Sequence, residues 1–317
     1  MMNKLYLGID IGGTTIKMAF IDHEGKIHDK WQIPTDTAEN GVRMMVDLAA
    51  SVNKKMIEHN LSFKDFVGIG VGSPGAVNHQ LGIVDHSGNL GWEYFPLKAK
   101  LEEVFPLPVF IENDANLAAL GEMWQGIDDD ISDLVMITLG TGVGGGVIVN
   151  NQIVTGKGAG GEIGHMRILL DDSVSCSCGQ TGCLEALTSA TGIARMGAEF
   201  AQQYPDSSLN NYERLTSKKV FREAAAGDEA AKQLVDRVAY YLGIALANVG
   251  NILNPEFILL GGGVSKAGDQ LLAPVTAYFK KFAFKAVAKS TQIGLANLGN
   301  DAGVIGAAYL AKSCTEN

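Results

Sequence analysis

Two stretches of this chain carry the same plan. Leu5–Asp22 reads L-Y-L-G-I-D-I-G-G-T-T-I-K-M-A-F-I-D, and Ile137–Asn150 reads I-T-L-G-T-G-V-G-G-G-V-I-V-N. In each, two apolar, β-branched runs flank a glycine–threonine turn, the pattern of a β-hairpin. Gly12 aligns with Gly140. A unit repeated at that distance predicts two related α/β domains facing each other across a cleft, each presenting a glycine turn. A length of 317 residues is comfortable for two domains, and with 46% apolar residues each can bury a core.

The turns suggest what the domains hold. Asp10 ends the first strand, where a carboxylate can hold a hydrated Mg2+. Gly12, Gly13 and Thr14 offer amides and a hydroxyl to a phosphate. An ordinary glycine hairpin looks the same, but the second copy, with Gly140, Thr141, Gly142 and Gly144, favours the phosphate reading. Gly140, Gly142 and Gly145 also spell G-x-G-x-x-G. That dinucleotide fingerprint must open a helix, and here it opens Val147-Ile148-Val149, a strand, so a Rossmann site is excluded. Phe257–Ser265 is a third candidate, a buried strand running into a glycine turn and helix, with Gly262 close to a nucleotide.

Between the hairpins the pattern predicts a helix over Val42–Glu58 and a strand over Phe66–Val71. The strand ends in Gly72-Ser-Pro-Gly-Ala76, whose Gly75 suits a turn presenting amides, and a polar loop with Asn89-Leu-Gly-Trp92 follows. Pro108–Asn116 runs from a short strand into a helix carrying Ala115–Trp124, with Asp114 and Asn116 as caps. Asn113-Asp114 either caps only, or places a carboxylate at a strand's carboxyl end, where α/β folds put their chemistry. Further on, Leu234, Val238, Leu242, Ala245, Val249 and Ile252 keep helical spacing until Asn254-Pro255 stops it. Ser207–Lys219 reads as a polar surface connection, and Asp301 opens a capped final helix of small residues.

Three of the four cysteines, Cys176, Cys178 and Cys183, crowd into C-S-C-G-Q-T-G-C. Thiolates that close repel one another unless a cation or a disulfide neutralises them. His165 supplies a fourth donor for a tetrahedral Cys3His zinc site; a redox pair or small buried thiols are the alternative. Glu162 and Glu185, flanking the cluster, exceed what a closed structural site needs, so the zinc loop is expected to aim acidic side chains at something else. A net charge of −10 argues against a nucleic-acid partner. No apolar run reaches the ~18 residues of a membrane span, and Met1–Lys4 leads into a strand without a signal peptide. Metal-type cysteine spacing suits a reducing cytoplasm.

Asp10-Ile-Gly-Gly-Thr-Thr, Glu112-Asn-Asp-Ala-Asn, Leu139-Gly-Thr-Gly-Val-Gly-Gly-Gly, Gly161-Glu-Ile-Gly-His and Cys176-x-Cys-Gly-x-x-Gly-Cys-x-Glu185 occur in this order over most of the chain. Together they resemble the ROK family of sugar kinases and repressors, within the actin and hexokinase superfamily, and most of all its bacterial members that phosphorylate glucose. The resemblance implies two ribonuclease-H-like domains, a small one of 1–117 plus 303–317 and a large one of 118–302, and usually a homodimer. It implies Asp114 as general base on the 6-hydroxyl of D-glucose, with Gly75, Asn89, Asn113, Glu162, His165 and Glu185 around the sugar. It places Mg2+ and ATP phosphates at Asp10 and the two glycine turns, and adenosine by Gly262. His165, Cys176, Cys178 and Cys183 would hold a structural Zn2+. N-acetylmannosamine, N-acetylglucosamine or fructose are the other sugars such a kinase could take. A repressor relative would add an N-terminal DNA-binding segment, for which a first hairpin at Leu5 leaves no room.

Overall fold

The first hairpin forms where the sequence places it: β1 (Leu5–Ile11) and β2 (Thr15–Asp22) pair antiparallel, with Asp10 opposite Lys17. Both are buried almost throughout, as expected of central strands covered on two faces. β3 (Ile27–Pro34) alternates half-buried and exposed residues, the mark of an edge strand with one face in solvent. The computed structural model describes residues 4–127 and 130–316, so the lead-in read at Met1–Lys4 lies, up to Asn3, outside the described residues.

After α1 (Val42–Glu58) comes β4 (Phe66–Ser73), which pairs parallel with β1. The stretch read as a polar loop then folds as an antiparallel meander of β5 (Ala76–Asn78), β6 (Ile83–Ser87) and β7 (Trp92–Phe95). Val84 and Trp92, 0% and 1% exposed, root it in the core, and Trp92 stacks on Phe95. α2 (Leu97–Val104) leads to β8 (Val109–Asn113), parallel to β4, completing a sheet in the order β3-β2-β1-β4-β8. In this register Asp10 pairs with Gly72, and Gly72 with Glu112, so three strands deliver their carboxyl ends side by side. α3 (Asp114–Gly121) follows β8 directly and ends in a π-helical turn, Glu122–Gly126.

The second hairpin, β9 (Leu134–Leu139) and β10 (Val143–Val149), starts a second sheet. β11 (Gln152–Ile153) flanks it on one side. Beyond the cysteine loop come α4 (Leu184–Thr188), α5 (Ala190–Gln203), α6 (Ser217–Ala226) and α7 (Glu229–Leu253). β12 (Phe257–Gly261) then pairs parallel with β9, and α8 (Gly262–Ser265), α9 (Asp269–Phe282) and α10 (Val287–Ser290) lead to β13 (Gln292–Leu295). The order β11-β10-β9-β12-β13 repeats that of the first sheet: an antiparallel hairpin with a third strand outside it, and two parallel strands beyond. α7 ends at Asn254, in a left-handed conformation before Pro255, but Ile252 is 80% exposed and leaves the apolar stripe one turn early. Ser207–Lys219 is not a loose connection. Ser207 and Ser208 donate to Asp228, Tyr212 to Glu223, and Leu209 is buried.

The chain forms two compact units: Met1–Asp130 with Ile153–Gly160 and Asn297–Asn317, and Ile131–Gln152 with Gly161–Ala296. The last helix, α11 (Ala302–Glu316), belongs to the first unit and packs on β1, β4 and α3. Glycines make the contact possible. A Cβ on Gly8 or Gly70 would strike the carbonyl of Val304 or Ala307, and one on Gly306 the carbonyl of Leu117. Two backbones therefore lie in direct contact, with no side chain between. The first unit runs past residue 117 and resumes before residue 303 because Glu122, just after α3, accepts the amides of Asn297 and Leu298.

Candidate functional site

In the first unit, the candidate groups gather at the carboxyl ends of β1, β4 and β8. Asp10 lies 3.4 Å from Lys17 Nζ, which also reaches the carbonyl of Asn300 at 3.4 Å. Burial pushes the Asp10 carboxyl above its ordinary value, and Lys17 opposes that shift. A cation delivered to this carboxylate would hold it ionised in the same way. α11 closes tightly over it, since a Cβ on Gly303 would stand 2.8 Å from Asp10 Oδ2. The turn Gly12–Thr14 opens beside it, closed by the Gly12 amide on the Thr15 carbonyl at 3.0 Å. Asn89 borders Gly13, its Cβ 3.5 Å from where a Gly13 side chain would begin.

Asn113, rather than Asp114 or Asn116, is the cap of α3: its side-chain oxygen accepts from the amides of Ala115 (2.9 Å) and Asn116 (3.2 Å). Its Nδ2 donates to the Gly75 carbonyl at 3.0 Å, tying the Gly72–Ala76 turn to the end of β8. Asp114 is then the first helical residue, with Oδ1 2.9 Å from the Ala115 amide, so its carboxylate sits at the positive end of the helix dipole. Asn116 is buried and donates to Glu112 at 3.0 Å. Glu112, 4% exposed, also lies 3.9 Å from His79 Nδ1. Glu112, the first residue of the Glu112-Asn-Asp-Ala-Asn motif, thus fixes Asn116, a role that only the folded helix start reveals.

In the second unit, His165 closes a short 3-10 turn, Ile163–His165, and shows its two ring nitrogens to different partners. Nδ1 is 3.8 Å from Cys176 Sγ, and Nε2 is 3.8 Å from Glu162 Oε2. Cys178 and Cys183 sulfurs are 3.8 Å apart, and the four donor atoms of His165, Cys176, Cys178 and Cys183 all lie within 4.8 Å of one another. Tetrahedral zinc with Zn–S bonds of about 2.3 Å separates two sulfurs by roughly 3.8 Å, so this donor set suits such an ion. The thiols themselves ask for a cation. Burial, with hydrogen bonds that the Cys183 S–H donates to the neighbouring sulfurs, pushes this thiol up to about 12.

Glu185 joins this loop to the second hairpin. Its Oε2 accepts the Val143 amide at 3.0 Å, and its Oε1 accepts the Ser177 hydroxyl at 2.6 Å and stands 3.8 Å from Cys176 Sγ. A Cβ on Gly142 would collide with that carboxylate. The hairpin turn is pinned from its other side to the start of α5: Ala190 donates to the Gly140 carbonyl at 2.8 Å, and Thr191 to the Thr141 carbonyl at 2.7 Å. Gly144 lies in β10 opposite Thr138. Gly262 opens α8 at φ 85, with its backbone against Leu139.

Residues 6–314 match the ROK family as a whole. The chain belongs to the ROK family. Among ROK proteins it is 48% identical to a glucokinase of Halalkalibacterium halodurans over 317 residues, covering 98% of this chain and 96% of that one. It is 35% identical to a glucokinase of Thermotoga maritima, covering 98% of each. A solved ROK structure, a glucokinase from Streptomyces griseus in complex with glucose and AMPPNP, superposes with a TM-score of 0.79 at 31% identity, over 98% of this chain and 99% of that one. The resemblance read from the motifs therefore holds, as does the α/β actin- and hexokinase-like fold it implied. Among the described residues, no helix is long and apolar enough to cross a membrane.

Proposed function

We propose that this ROK protein is an ATP-dependent glucokinase, transferring the γ-phosphoryl group of Mg–ATP to the 6-hydroxyl of D-glucose to give glucose 6-phosphate and ADP. The observation that carries the reading is the likeness to a glucokinase at 48% identity over nearly the whole of both chains.

In this reading each cluster has one task. Asp114 takes the proton from the 6-hydroxyl as its oxygen attacks the γ-phosphorus, and ADP departs. A base so placed typically contributes about 10²–10⁴-fold. Asn113, with one amide N–H on Gly75 and its oxygen on the helix start, can offer its second N–H to the sugar. Gly75, Asn89, Glu162, His165 and Glu185 supply the other polar contacts, an acceptor-rich set that suits a neutral polyol and repels a sugar acid. The turns Gly12–Thr14 and Gly140–Gly144 hold phosphates, Asp10 holds the Mg2+, and Gly262 borders the adenosine. Phosphoryl transfer asks a protein chiefly for positioning and charge stabilisation, which such an inventory provides.

A zinc ion held by His165, Cys176, Cys178 and Cys183 would stiffen the loop that carries Glu162 and Glu185. His165 can serve both, since Nδ1 faces the thiols and Nε2 faces Glu162. A homodimer working in the cytoplasm belongs to the same reading. The test is kcat/KM with Mg–ATP for glucose, fructose, N-acetylglucosamine and N-acetylmannosamine. Glucose should lead; another sugar ahead by more than about tenfold would keep the kinase and replace its substrate.

A further inference from the structure

Thr35, the first residue beyond β3, makes two hydrogen bonds to the first glycine turn. Its Oγ1 donates to the Gly12 carbonyl at 2.6 Å, and its backbone N–H donates to the Thr14 carbonyl at 2.9 Å. These are alternate carbonyls of the same short turn. In a planar trans peptide the C=O and the following N–H point in opposite directions. Drawing the Gly12 and Thr14 carbonyls toward Thr35 therefore turns the amides of Gly13 and Thr15 away from it. Among the described hydrogen bonds, the Gly13 amide, which belongs to the peptide fixed by the Thr35 hydroxyl, donates to no protein group, and Gly13 is exposed. In a tight hairpin the Gly12 carbonyl would close the turn on Thr15. Here the threonine hydroxyl takes that carbonyl instead, so the turn is closed on one side only, by the Gly12 amide on the Thr15 carbonyl, and the Gly13 amide faces outward.

We infer that Thr35 is a positioning residue for nucleotide binding: it clasps the back of the Gly12–Thr14 turn and aims the Gly13 amide at the phosphates of ATP. This rests on the reading of that turn as a phosphate site. Thr35 does not touch the nucleotide. Its hydroxyl fixes the orientation of one peptide unit, and its backbone fixes that of another. The side-chain half of the clasp can be removed without altering bulk, since valine has the shape of threonine and no donor.

The experiment measures, by calorimetry, binding of a nonhydrolysable Mg–ATP analogue and, separately, of glucose to wild type, Thr35→Val, Thr35→Ser and Asp10→Asn, together with KM for each substrate. Loss of one hydrogen bond should raise the Thr35→Val Kd for the analogue and KM for ATP together, about three- to tenfold. Glucose affinity should stay within about twofold, and serine, which keeps the donor, should restore nucleotide binding. If Asp10→Asn weakens the nucleotide and Thr35→Val does not, the turn is a phosphate site that does not depend on Thr35, and the inference fails alone. If neither variant changes nucleotide binding, the phosphate reading of the turn fails and takes the inference with it. A Thr35→Val protein that loses nucleotide and glucose equally, or that serine does not rescue, would show Thr35 to be a packing residue and overturn the proposal.

Discussion

Glu122 has no exposed surface, yet it carries a carboxylate. It begins the π-helical turn after α3, and its two oxygens accept the amides of Asn297 (2.9 Å) and Leu298 (2.8 Å), while Asn297 Nδ2 donates back to the Gly126 carbonyl at 2.6 Å. This is where the chain re-enters the first unit ahead of α11. Hydrogen bonds to a charged group contribute about 1.5–3 kcal/mol each, and burying the carboxylate offsets part of that, so Glu122→Ala should destabilise the first unit by about 3 kcal/mol. Glu122→Gln keeps one good acceptor and should lose roughly half as much. The two differ in pH dependence. Burial outweighs the two amide bonds and raises the Glu122 carboxyl above its ordinary value of 4.5. A group with a raised folded pKa contributes stability that is fully present below 4.5 and is lost as pH rises through the folded value. Wild type should therefore lose stability with rising pH across that window relative to Glu122→Gln, which has no proton to release there. Urea unfolding followed by tryptophan fluorescence reads this selectively, because Trp31, Trp92 and Trp124 all lie in the first unit. An alanine variant within about 0.5 kcal/mol of wild type, or a glutamine variant with the wild-type pH slope, would refute the reasoning.

Protein purified without added zinc should contain about one equivalent by metal analysis, and Cys178→Ser should lose it and weaken glucose binding; a metal-free wild type with full activity would exclude the zinc reading. Asp114→Asn should lower kcat by about 10²–10⁴ while calorimetry finds glucose affinity little changed. Gly70→Ala should destabilise the protein by about 1–3 kcal/mol or more in urea melts, because the new methyl meets the Ala307 backbone and no rotamer can relieve it. Ser177→Ala should raise KM for glucose about two- to fivefold and leave zinc content unchanged, since it frees one oxygen of Glu185 and removes no metal donor.

Both hairpins were legible because hydrophobic alternation and glycine turns are local signals, and the same holds for α1 and the stop of α7 at Asn254-Pro255. The β5–β7 meander was not. Its strands are three to five residues long, broken by Asn78–Gly82 and Gly88–Gly91, and hold together through Val84 and Trp92, whose burial is a tertiary fact. The sequence leaves the cap of α3 open among Asn113, Asp114 and Asn116, because all three are good caps. Backbone geometry chooses among them, with Asn113 extended at φ −64, ψ 143. The cysteine cluster was readable from spacing, but Ser177 on Glu185 and Thr35 on Gly12 were not. Each is a single hydroxyl meeting a partner brought close only by the fold. Ile252 and Ser207–Lys219 erred in opposite directions: an apolar residue left in water, and a polar run that satisfies itself with Asp228 and Glu223.

The bed of glycines under α11 also has a consequence for how the protein is made. Gly8 and Gly70 are translated well before the helix that covers them, the last described element of the chain. The first sheet must leave the ribosome with a face of bare backbone and apolar side chains that nothing nearby in sequence can cover. All of the second unit is synthesised in the interval and can fold while the first waits. Nascent chains stalled before Ala302 should therefore carry a protease-resistant second unit and a first unit that holdase chaperones still recognise.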